Sequence, residues 1–279
     1  MPAPGPHLWR KGVSHARTRP RPSSCRRADG CRPDNLARQP AASQRRCPPR
    51  AAGAAGRAGV ASVAEAAVNA PDDHRLTETG LPPEGRGRVL VIGCGALAHE
   101  ILALKRINGW DHLDLTCLPA IWHNHPDRIA PGLRALVERH RAAYPTILVA
   151  YADCGTGGDL QRTCAELGVE MMEGPHCYAF FEGAAASADR AGDEIDAFYL
   201  TDFLTRQFDA FVWRPLGLDR HPELATVYFG NYRRLVYLAQ TEDAALDRQA
   251  EACAARLGLA YERRPTGYGD LAGFLAGRG

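Results

Sequence analysis

Thr146-Ile147-Leu148-Val149-Ala150-Tyr151-Ala152-Asp153-Cys154-Gly155-Thr156-Gly157-Gly158-Asp159 runs from an apolar strand pattern through a glycine-rich turn into a new helix. The apolar run to Ala150 predicts a strand, residues 155–158 predict a tight turn, and Asp159 to Leu167 follows a helical pattern. Glycines let the backbone bend sharply and bring its N–H groups close to whatever lies above the turn. The helix that follows directs its positive end to the same place. Cys154 therefore stands where a thiol is easily ionised. The same residues also suit a packed strand-to-helix corner around an inert cysteine, the ordinary use of a free thiol.

Upstream and downstream the pattern recurs. Val89 to Ile92 is a strand run ending in Gly93-Cys94-Gly95, and a helix follows until Asn108-Gly109. A second strand, Leu113 to Leu118, runs into Pro119 and Trp122-His123-Asn124-His125-Pro126, and a helix spans about Pro131 to Ala143. After the third strand and its helix, Val169 to Met172 ends in Glu173-Gly174-Pro175-His176-Cys177-Tyr178. Strands that alternate with helices predict an α/β fold. We expect a mainly parallel sheet with helices on both faces, in a Rossmann-like three-layer architecture. Such sheets bind ligands beyond the carboxyl ends of their strands. All four runs deliver a metal-competent or nucleophilic side chain there: Cys94, His123, Cys154, and Cys177 with His176 beside it. Thiolate and imidazole are the ligands of zinc and similar soft metals, so these five residues are the candidate metal ligands, with Zn2+ as the candidate cofactor. A strand order 2-1-3-4 would set the ends of strands one, three and four side by side. His123 would then lie at the margin, with His176 as its natural substitute.

A second reading uses the glycines instead. Gly93, Gly95, Gly155, Thr156, Gly157 and Gly158 would cradle an anionic ligand or nucleotide-like cofactor through backbone N–H groups, with the cysteines merely packed. Gly93-Cys94-Gly95-Ala96-Leu97-Ala98 fits the dinucleotide fingerprint G-x-G-x-x-A. The acidic partner expected at the end of strand two is missing, because Cys117-Leu118-Pro119-Ala120 stands there and Asp111 and Asp114 come too early.

Beyond Gly183, an Ala-rich helix, a run from Phe198 to Leu204, a short strand at Ala210 to Trp213, a strand at Arg233 to Leu238 and a helix from Asp243 to Leu257 stopped by Gly258 continue the α/β pattern. Composition divides the 279 residues unequally. Up to Val60, 12 Arg and one Lys face two Asp, a net charge of +11; the remaining 21 basic and 30 acidic residues give −9. The first segment is rich in Pro, Ala and Gly and poor in large hydrophobes, so it lacks the apolar surface needed to offset the entropy of ordering. Residues 1–86 are expected to be a disordered basic extension and residues 87–279 an α/β domain. The extension reads as a targeting peptide, a nucleic-acid-binding tail or sequence upstream of the true start. Its Cys25, Cys31 and Cys47 lack the paired spacing of a zinc module. No run approaches the ~20 apolar residues of a membrane span. The expectation is a cytoplasmic protein with reduced thiols, a small-molecule or cofactor ligand, no membrane contact, and no nucleic-acid partner except through the extension.

The series Gly93-Cys94-Gly95; Leu118-Pro119-Ala120 with His123-Asn124 and Pro126; Tyr151 with Asp153-Cys154-Gly155-Thr156-Gly157-Gly158; Gly174-Pro175-His176-Cys177-Tyr178; Tyr199-Leu200-Thr201-Asp202; Gly217-Leu218-Asp219-Arg220-His221-Pro222; and Tyr237-Leu238-Ala239-Gln240-Thr241 resembles the family catalogued as domain of unknown function 1638. The resemblance runs from about Val89 to Tyr268 and names no reaction. It implies a bacterial or archaeal context, with some members associated with genes for corrinoid-dependent methyl transfer. Corrinoid or methyltransferase proteins are therefore the implied partners.

Overall fold

Four of these runs form one parallel sheet. The structure, a computed structural model, describes residues 71–190 and 194–276. In it β1 (Val89–Cys94), β2 (Leu113–Leu118), β3 (Thr146–Ala150) and β4 (Glu170–Met171) lie in the order β2-β1-β3-β4, every pairing parallel. Every residue of β1 and β2 is buried, as expected of parallel strands covered on both faces. A second sheet pairs β5 (Ala197–Thr201), β6 (Arg234–Ala239) and β7 (Ala260–Pro265) in that order, again all parallel. The α/β class holds, and the parallel strands divide between two sheets. One hydrophobic cluster runs through both, from Leu90 and Val149 to Leu235 and Tyr237.

The helices are α1 (Asp73–Glu78), α2 (Ala98–Asn108), α3 (Ile129–His140), α4 (Asp159–Leu167), α5 (Ala179–Glu182), α6 (Ala184–Arg190), α7 (Asp202–Arg206), α8 (Ala225–Phe229), α9 (Ala244–Leu257) and α10 (Gly269–Ala276). They cover the sheets in a three-layer α/β arrangement. α2, α4 and α9 each stop at a glycine in the left-handed conformation, Gly109, Gly168 and Gly258.

Three features depart from the sequence reading. Ordered structure starts upstream of Arg88: α1 is capped by the Asp72 carboxylate, which accepts from Arg75 N at 3.1 Å, and its Leu76 is fully buried. Leu81 then pairs with Cys117 on β2, and Arg86 N and Gly87 N donate to the buried Asp114 carboxylate at 2.8 and 2.9 Å. Of the expected disordered extension, residues 1–70 lie outside the described residues. Second, Ala210 to Trp213, expected as a strand, is part of a single π-helical turn, Asp209–Trp213, closed by Arg214 N to Asp209 O at 3.0 Å. A short apolar run fits either period, and here the backbone is satisfied locally. Third, the run from Phe198 leaves the sheet at Thr201, whose hydroxyl accepts from Leu204 N and caps α7.

No helix among the described residues is long and apolar enough to cross a membrane.

Candidate functional site

β1 and β3 are neighbours, so their carboxyl ends lie together; β4 pairs with the far edge of β3 and leads its following loop to the same place. Asp153 N donates to Gly174 O and Cys154 N to Pro175 O, both at 3.1 Å, which ties the loop after β4 to the turn after β3. Cys154 and Cys177 therefore face each other, with sulfurs 3.3 Å apart. Cys94 at the end of β1 lies within electrostatic reach of Cys177. The 3-10 turn Ala120–Asn124 after β2 brings in the fourth group, with the His123 ring beside Cys154. His123 was expected at the margin of a sheet with this strand order, and the turn brings it back over the edge. His176 instead stacks on Tyr178, which stacks on Tyr199, with centroid separations of 5.1 and 5.2 Å. His125, two residues beyond His123, is exposed.

Cys94 and Cys154 are only 3% and 4% exposed, whereas Cys177 and His123 are half-buried and form the outer side of the cluster. Its electrostatics follow from shared protons. Cys154 is held well below the usual thiol range by the hydrogen bond from Cys177 and, against the penalty of burial, by His123 and the backbone N–H of Cys177. Cys177, which keeps its proton, is pushed well above that range by Cys154 first and Cys94 second. His123 is lowered by burial but raised further by Cys154, so the net direction is toward imidazolium. Cys94 is also lowered, again first by Cys177. Shared protons thus bias Cys154 and Cys94 toward thiolate and His123 toward imidazolium, with Cys177 biased toward the thiol. Tyr151, unassigned by the sequence reading, lies beside Cys94 with its buried hydroxyl at a geometry short of a hydrogen bond. Only its place immediately after a strand in a thiol-bearing segment hinted at this.

Among the described residues no three His, Cys, Asp or Glu side chains stand in the geometry that holds a metal ion. The Cys154 and Cys177 sulfurs, 3.3 Å apart, are closer than two sulfurs on one tetrahedral zinc. The other cysteines are elsewhere. Cys117 is desolvated inside β2 and pushed well up, while burial pushes Cys164 and Cys253 to about 11.

The glycine turn is occupied from within. The Asp153 carboxylate accepts from Thr156 Oγ1 at 2.7 Å, Gly158 N at 2.8 Å and Gly157 N at 3.3 Å, and it also takes a backbone bond from Gly155. Gly155, Gly157 and Gly158 all have positive φ, so the turn needs its glycines for backbone conformation. Gly157 N and Gly158 N face this internal carboxylate, while Asp159 N and Leu160 N at the start of α4 bond the Thr156 carbonyl and hydroxyl. Gly95 has a packing reason: a Cβ there would lie 2.3 Å from Leu76 O of α1. At Gly93 it would lie 3.2 Å from the Ile101 side chain. On the outer side of the turn, an open groove of about 420 Å³ is lined by Pro126, Arg134, Glu138 and Asp159 among others, with no cysteine or histidine.

The model of a family described as a protein of unknown function (DUF1638) matches residues 117–275. It covers His123, Cys154, His176 and Cys177, runs past Tyr268, and leaves β1 with Cys94 outside. No curated protein and no solved structure matches the chain.

Proposed function

The chain belongs to the DUF1638 family, and we propose that within it Cys94, His123, Cys154 and Cys177 bind one soft divalent metal ion, zinc first, at the carboxyl edge of the four-stranded sheet. The observation that carries the reading is convergence. Four side chains from four separate strand ends meet, with two of the sulfurs 3.3 Å apart. Three sulfurs and one imidazole are a zinc-type donor set, and Zn–S bonds of ~2.3 Å place tetrahedral sulfurs about 3.8 Å from one another. Binding would widen the Cys154–Cys177 pair by roughly 0.5 Å, within the reach of small side-chain rotations, and displace the thiol protons. Tyr151 Oη beside Cys94 is positioned to donate to that sulfur once it is a metal-bound thiolate.

A closed set of three sulfurs and one imidazole would make the zinc structural, and only release of one labile ligand would let it supply Lewis acidity toward a substrate thiol, which is the link we draw to one-carbon chemistry and corrinoid-dependent methyl transfer. His123 and Cys177, the half-buried members, stand where such a donor would approach. The test is metal analysis of the full chain, purified without chelator and equilibrated with Zn2+, beside Cys154→Ser and Cys177→Ser. Stoichiometric zinc in the wild type that is lost in both variants is expected. Wild-type protein that retains none after dialysis refutes the proposal.

A further inference from the structure

Cys154 and Cys177 are adjacent in the fold for a reason independent of any metal. Their two backbone segments are stitched together by the 3.1 Å bonds Asp153 N to Gly174 O and Cys154 N to Pro175 O. The two Sγ atoms are 3.3 Å apart, so a disulfide of ~2.05 Å needs them to close by roughly 1.3 Å. Cys94 is the one other described thiol next to Cys177, whereas Cys117 is buried inside β2 beside Gly93 and Cys164 packs against Met171.

The pair is preset by geometry, with sulfurs 3.3 Å apart in two segments already joined by backbone hydrogen bonds, so oxidation of one sulfur places the other within reach to resolve it. Cys177 is half-buried and presses on the Cys154 sulfur from the outer side. With only 4% of Cys154 exposed, access favours an oxidant close to water in size.

We infer that Cys154 and Cys177 form an oxidation site for hydrogen peroxide, with Cys154 the attacking sulfur and Cys177 the resolving one. Cys154 sulfur attacks one peroxide oxygen and the O–O bond breaks; the sulfur is oxidised to a sulfenic acid, and the other oxygen leaves as hydroxide and takes a proton to become water. Cys177 sulfur then displaces the sulfenic oxygen, giving the Cys154–Cys177 disulfide and a second water. Two thiols and one hydrogen peroxide become one disulfide and two waters. The inference deepens the metal reading by naming a regulation of the same site, since oxidation removes two of its four ligands; it rests on the pair of sulfurs and not on zinc.

The experiment treats the full chain with hydrogen peroxide, with and without added Zn2+, blocks free thiols under denaturing conditions and maps the peptides by mass spectrometry. The expected result is a Cys154–Cys177 cross-linked peptide, lighter by two hydrogens and reversed by dithiothreitol. In Cys177→Ser the expected product is a Cys154 sulfenic acid trapped by dimedone. A wild-type map in which both cysteines stay free, or in which the cross-link joins other residues, overturns the inference, and it does so without needing the variant to fold. Added Zn2+ separates the two proposals. Slower cross-linking supports the metal reading, while an unchanged rate counts against it and leaves the disulfide in place.

Discussion

Cys154 carries a left-handed φ of 45°, while every other positive φ among the described residues belongs to glycine. A side chain kept at a strained backbone position, costing on the order of 1–2 kcal/mol, points to a use for its sulfur beyond filling the corner. Its neighbour Asp153 has the opposite role, a carboxylate that supports the turn and takes up the N–H groups the sequence appeared to offer a ligand. Glu100 is a third special residue. Only 4% exposed and with Oε2 lacking a hydrogen-bond partner, it is pushed by burial from 4.5 to about 7. Because the folded chain then holds its proton more tightly than the unfolded one, stability declines as pH rises from 4.5 to about 7. Above that window the buried carboxylate costs on the order of 3 kcal/mol. Glu100→Gln should remove this slope in urea denaturation measured across the window and be the more stable protein at pH 8. An unchanged slope would show that Glu100 is not the group responsible.

At the scale of elements, β1 and β3 were legible because parallel strands covered on both faces read as apolar runs, whereas β2 includes Asp114 and Thr116 and β4 is only Glu170–Met171. β7 was not, since Ala260-Tyr261-Glu262-Arg263-Arg264-Pro265 is polar and its Arg264 is used in ion pairs with Glu182, Glu194 and Glu262. α1 was hidden by its length and by the basic composition before it. Its weight in the fold is nonetheless clear: Leu76 is fully buried and its carbonyl lies against Gly95, next to Cys94. Burying one leucine stabilises by about 2 kcal/mol, and the contacts of Leu81 and Asp114 add to that. A chain starting at Pro71 should therefore melt like the full-length protein, whereas one starting at Gly87 should lose several degrees or more. Equal melting temperatures for the two would show that α1 contributes nothing.

Across the whole molecule, one core joins two parallel sheets, and the two sheet edges differ in chemistry. At the second edge, buried Asp202 accepts from Tyr237 Oη at 2.7 Å, Gln240 N at 3.1 Å and Thr241 Oγ1 at 2.6 Å, so the recurring Thr201-Asp202 and Gln240-Thr241 pairs lock strand ends together. The first edge gathers thiols. The identity of its residues was readable from strand-end position alone, because the topology of parallel sheets sends every such residue to one side. Which histidine joins them was not, since that depends on the fold-back of Ala120–Asn124, a turn set by tertiary packing. The central claim is that Cys94, His123, Cys154 and Cys177 hold one metal, and zinc K-edge X-ray absorption of the zinc-loaded full chain addresses it directly. The account predicts a first shell of three sulfurs near ~2.3 Å and one nitrogen near ~2.0 Å. A shell of oxygen and nitrogen without sulfur, or zinc bound only in loose excess, would contradict it.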